Sequence, residues 1–165
     1  MNNNILLVIP PGVRPRAGSR HALARALETN SKLVALAILD PTETARIAAR
    51  LDSAFMGERV GDRVAAALSR EHTVRAEGVL DGISKCADKA GVEMVPLIES
   101  GDTSEVCDRV IREHAIGYVV LLAERRSWLT RLLSRSSSVQ IQAFEGCEIK
   151  VIEEAEDDGI DPDQD

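Results

Sequence analysis

The chain has 165 residues, of which 44% are apolar and only 2% aromatic. That length favours one domain, and the aliphatic bias favours a core of Val, Ile, Leu and Ala, as in parallel sheets covered by Ala-rich helices. The formal net charge of −7 is concentrated at one end: residues 153–165 hold eight acids and no Lys or Arg, and taking these eight from the 27 acids leaves 19 against 20 Lys and Arg. The body is therefore close to neutral, and no nucleic-acid partner is expected. With only Ile160 to bury, the 153–165 segment is expected to be a disordered acidic tail behind a domain of residues 1–152.

Cys86, Cys107 and Cys147 are odd in number and form no CxxC pair. They are expected to be reduced, mostly buried thiols of a cytoplasmic protein. No stretch approaches the roughly 18 apolar residues that span a bilayer. The opening Met1-Asn2-Asn3-Asn4 has no basic region, so no secretory leader is expected.

In chain order, the apolar run 5–9, stopped by Pro10-Pro11-Gly12, predicts a strand buried on both faces. A loop rich in Pro, Gly and Arg follows over 11–18. Ser19 is placed to cap a helix over 20–29, with Asn30 as its stop. Residues 33–39 predict a second buried strand, closed by Asp40-Pro41. A short helix is expected over 42–53, broken at Phe55-Met56-Gly57. A helical pattern over 61–90 then carries Ala76, Val79, Leu80, Ile83, Ala87 and Ala90 on one face. Gly91 suits its C-cap, whereas Gly78 and Gly82 weaken the helix from inside. A third strand over 92–98 contains Pro96. Gly101-Asp102-Thr103-Ser104 is a turn and cap leading into a helix that ends near His114. Residues 118–122 predict a fourth strand, 137–144 a short helix, and 148–152 a fifth, half-polar strand. Strands and helices alternate without a hairpin signal, which argues for an open parallel α/β sheet with helices on both faces and right-handed crossovers.

Ligands of such sheets bind beyond the carboxyl ends of the strands. Two Arg-bearing loops qualify: 10–18, with Arg14 and Arg16, and 123–136, with Arg125, Arg126, Arg131 and Arg135. Each is either a phosphate-holding cluster or a solvated basic loop. Asp40 is the one carboxylate near the expected crevice, and a lone carboxylate there reads first as a turn residue. His21, His72 and His114 read as surface or helix-end residues. There is no Walker loop, GxGxxG, GxSxG, HExxH or CxxC, so neither catalysis nor a metal is expected.

The opening ILLVIPPGVRPRAGSRHALARALETNSKLVALAILDP and the later GDTSEVCDRVIREHAIGYVVLLAERRSWLTRLLSRSSSVQ resemble the first and last βα units of the universal stress protein family. The resemblance implies a Rossmann-like sheet of five parallel strands in order 3-2-1-4-5, as in adenine nucleotide alpha hydrolase-like folds. It also implies a homodimer through the last strand, 148–152, and no enzymatic activity. ATP-binding members carry Gly-x2-Gly-x9-Gly-(Ser/Thr) after strand four. Here the glycine positions fall on Ala123, Arg126 and Ser136, and only Ser137 matches; Pro10 stands where the family tends to have an Asp. An L-residue held in the left-handed region costs about 1–2 kcal/mol, and Arg126 blocks close backbone approach to phosphate. Arg125 or Arg126 could compensate by reaching a phosphate directly.

The resemblance therefore implies a non-enzymatic stress-response regulator that does not bind ATP tightly, with no cofactor expected. Its alternatives are a protein that binds ATP or another adenine nucleotide through an Arg-rich loop, and a soluble accessory domain of a membrane transporter. Candidate ligand contacts are Pro10, Pro11, Asp40, Ala123, Arg125, Arg126, Ser136 and Ser137. Trp128, Leu129 and Leu132 either pack their loop onto the sheet or meet a protein partner.

Overall fold

The computed structural model describes residues 3–54, 60–124 and 146–154. Five strands, β1 (Asn4–Ile9), β2 (Leu33–Leu39), β3 (Met94–Ser100), β4 (Ile116–Glu124) and β5 (Glu148–Glu154), alternate with α1 (Arg16–Thr29), α2 (Pro41–Ala54), α3 (Val60–Ala90) and α4 (Thr103–Glu113). All strand pairs are parallel, in the order β3-β2-β1-β4-β5. This is the expected sheet.

The continuous apolar runs bury both faces of the central strands. Ile5, Leu7 and Ile9 of β1 join Leu33, Ala35 and Ala37 of β2 under α1 and α3. Leu6, Val8, Val34, Leu36 and Ile38 face the other way, onto Val106, Cys107, Val110 and Ile111 of α4. The chain walks outward through β1, β2 and β3 with α1 and α3 on one face, then returns to β4 with α4 on the opposite face. A uniform crossover hand requires this arrangement.

Several boundaries differ from the sequence reading, each for a local reason. β4 starts at Ile116 rather than 118 because Gly117 is an extra residue in the ladder: Asn4 pairs with Ile116, but Ile5 already pairs with Tyr118. β3 runs over 94–100 rather than 92–98. It is an edge strand, so Pro96, exposed and in register with Ala35, interrupts no ladder on its outer side. β5 continues through Glu153 and Glu154, two residues past the expected boundary of the acidic tail. From Val60 to Ala90 the chain is one 31-residue helix, closed by Gly91 at φ +75°. The front of α3 packs on α2, and Asp52 Oδ1 accepts a hydrogen bond from Gly61 N at 2.9 Å to join them. Asp102 caps α4 as expected, accepting from Glu105 N at 3.1 Å.

The three thiols are free. Cys107 is buried and its pKa is pushed up to about 12, first by burial and then by the Asp102 carboxylate. Cys147 is half-buried and raised by burial alone, with its Sγ 3.4 Å from the Ile116 carbonyl. Cys86 departs from the expectation of a buried thiol: it is exposed on α3.

Candidate ligand-binding site

A cavity of about 920 Å³ opens at the carboxyl ends of β1 and β2, within the range of roughly 300–1,000 Å³ usual for small-molecule sites. The turn after β1, from Ile9 to Arg16, forms one wall, and Ala37, Ile38 and Leu39 of β2 form the floor. The opposite wall is α3, through His72, Arg75, Ala76, Gly78, Val79, Gly82, Ile83 and Cys86. Arg75 is held by Glu71 one turn earlier, at 2.9 Å. Ser19 and Glu154 complete the lining beside the start of α1.

The start of α1 explains why Glu154 is there. Expected from Arg20 behind a Ser19 cap, the helix instead begins at Arg16, with Pro15 at the N-cap and no side-chain cap of its own. Pro15 suits a helix start, but the orphan amides of the first turn still need acceptors. Glu154 supplies them from the end of β5: Oε2 accepts from Ala17 N at 3.0 Å and Oε1 from Gly18 N at 2.6 Å. The carboxylate stands against the positive end of the helix, and Glu154 is only 4% exposed. Ser19 Oγ donates to the Arg16 carbonyl at 3.1 Å.

A second polar cluster lies further along α1, outside the cavity. His21 Nε2 and the Tyr118 hydroxyl are 2.8 Å apart. The Arg25 guanidinium stacks 4.6 Å from the Tyr118 ring centroid and lies 3.6 Å from the Glu148 carboxylate. Burial raises the Tyr118 pKa, with Arg25 opposing. The first and last residues of β5, Glu148 and Glu154, thus both engage α1. Among the described residues, no helix is long and apolar enough to cross a membrane and no three His, Cys, Asp or Glu residues gather as a metal site.

No protein-family model and no curated protein matches the sequence. Solved structures do match the fold. The universal stress protein UspA from Lactobacillus plantarum superposes with TM-score 0.59 at 18% identity, over 91% of this chain and 98% of that one. A universal stress protein family member from Burkholderia pseudomallei gives 0.57 at 19% identity, over 92% and 96%. A universal stress protein family protein from Arabidopsis thaliana, with AMP bound, gives 0.53 at 14% identity, over 99% of each chain. This chain has the universal stress protein fold.

On that fold the expected contacts separate. Pro10 and Pro11 line the cavity. Asp40 does not: it is exposed, and its Oδ1 accepts from Thr42 N at 2.9 Å at the start of α2, the turn role that a strand-end carboxylate suggests. Ala123, placed by the sequence reading at the start of the loop after β4, is a residue of that strand, in register with Glu153. Arg125, Arg126, Ser136 and Ser137 lie outside the described residues, as do Trp128, Leu129, Leu132 and the expected 137–144 helix. The α3 wall and Glu154 were not anticipated. The signals for the wall are the apolar face that includes Ala76, Val79 and Ile83, and the glycines Gly78 and Gly82, one helical turn apart beside it.

Neither glycine has a positive φ, and a Cβ added to either would meet nothing within 4 Å. They leave the α3 backbone bare toward the cavity. Glycine in a helix interior costs about 0.8–1.0 kcal/mol relative to alanine. The double substitution Gly78→Ala with Gly82→Ala is therefore expected to stabilise the fold by roughly 1–2 kcal/mol while narrowing the cavity. Chemical denaturation checks the sign; destabilisation would show that the glycines serve packing.

Proposed function

We propose that the chain is a non-enzymatic regulatory protein of stress response that senses a small adenine-containing ligand in the cavity between α1 and α3. The observation that carries this reading is the cavity itself. It stands beyond the carboxyl ends of two parallel strands, where this class of sheet takes its ligands, in a fold of which one neighbour holds AMP. Tight ATP binding is not expected, since Ala123, Arg126 and Ser136 replace the three glycines that would let backbone amides close on a triphosphate. Dimerisation through β5 belongs to the same reading. Among the described residues β5 pairs only with β4, and Val151 is 45% exposed on it, so a second copy would cover an edge that otherwise invites pairing.

Thermal unfolding with adenosine, AMP, ADP, ATP or inorganic phosphate, each with and without magnesium, tests the proposal. A ligand at 100 times its Kd stabilises by about 2.7 kcal/mol, which moves Tm by roughly 5–10 °C in a domain of this size. The expected result is a shift with adenine compounds and no preference for ATP. No shift from any adenine compound at millimolar concentration would sink the proposal. A larger, magnesium-dependent shift with ATP would favour the second reading, in which Arg125 or Arg126 holds the phosphates.

A further inference from the structure

We propose that Glu154 is a specificity-determining residue of the cavity: as the resident anion of α1, it closes the α1 end of the cavity to a ligand phosphate. The inference rests on reading the cavity as an adenine-ligand site and names what that site excludes.

The amides at the start of α1 can be followed one by one. Arg16 N donates to the Arg14 carbonyl at 3.0 Å and Ser19 N to the Pro15 carbonyl at 3.0 Å. Ala17 N and Gly18 N, between them, both donate to Glu154. All four first-turn donors therefore have acceptors within the chain, and none is left for a ligand oxygen. An incoming phosphate would have to displace a carboxylate that is 4% exposed and held by two hydrogen bonds, or lie beside it and be repelled. A neutral ligand group at this end meets neither obstacle, whereas the cavity lining also holds the cations Arg14, Arg16 and Arg75. A neutral group also leaves Glu154 in place, and with it the contact that fastens the last residue of β5 to α1.

Inorganic phosphate is the direct probe, applied to the full chain labelled with ¹⁵N, at constant ionic strength against a chloride control. In the wild type the Ala17 and Gly18 amide resonances are expected to stay put. In Glu154→Ala they are expected to move saturably with phosphate, and the affinity for AMP relative to adenosine is expected to rise at least tenfold. Glu154→Gln, which keeps the side-chain volume, serves where the alanine variant does not fold. Saturable phosphate shifts at these two amides in the wild type would overturn the proposal, as would a folded variant that ignores phosphate. If the wild type lacks adenosine binding while the variant gains phosphate, the adenine reading of the cavity fails and Glu154 keeps its assigned role.

Discussion

Leu36→Ala is expected to destabilise the protein by about 2–5 kcal/mol, lowering Tm by roughly 4–20 °C. Leu36 has no exposed surface and sits mid-strand in β2, between Val8 of β1 and Leu97 of β3. Its side chain belongs to the core layer that α4 closes with Val106, Cys107, Val110 and Ile111. Truncation removes apolar contact on a strand flanked on both sides and leaves a void that neighbours in two paired strands cannot fill without breaking register. Leu97 provides the control. It packs against the same layer, but it is half-buried on an edge strand that can relax outward. Leu97→Ala is expected to cost less than half as much. Denaturant midpoints at unchanged m-value check both; equal losses would mean that β3 is as constrained as β2 and that the edge is covered.

The same contrast between runs and contacts explains what could be read from the sequence. β1 and β2 were legible because both their faces are buried, so unbroken apolar runs mark them. The strand order was carried by the resemblance, not by any pattern in the residues. The sequence pattern starts α1 four residues late, at Arg20, because Ser19 looks like a cap; the group that caps the helix is a carboxylate 136 positions away in sequence from Gly18. No local rule reaches that far. For the same reason Glu154 falls in sequence with the acidic tail: it is one acid among those that follow it, and only its partners on α1 set it apart. At Asp40 the sequence supports both a turn role and a ligand contact, and the structure shows the turn role, with Oδ1 accepting from Thr42 N outside the cavity lining. In sequence, Gly78 and Gly82 mark only weak points of a helix. Their effect is visible only beside the opposite wall, where missing side chains become space.

Gly18→Ala is expected to have the opposite sign to alanine at Gly78 and Gly82, although all three glycines lie in helices. At Gly18 the new Cβ would collide with Leu122 Cδ2 and stand 3.1 Å from Glu154 Oε1. Leu122 is 1% exposed and belongs to the layer beneath α1 and α3, so its side chain cannot swing away without displacing the core. Overpacking of this kind costs about 1–3 kcal/mol, more than the propensity gain of up to about 1 kcal/mol that alanine brings. The net expectation is destabilisation, with α1 lifted from β4 just where Gly18 N meets Glu154. A double-mutant cycle with Leu122→Ala separates this clash from other causes. Leu122→Ala alone is expected to be costly, but adding Gly18→Ala to it should cost little or nothing, because the colliding methyl is gone. Strict additivity would mean that Gly18 is required for another reason, such as the path of the chain from Pro15. If the clash is confirmed, the absence of a side chain at residue 18 is what lets α1 sit close enough to the sheet for a carboxylate at the end of β5 to reach its first amides. The ligand preference of the cavity and the packing of the core would then depend on the same glycine.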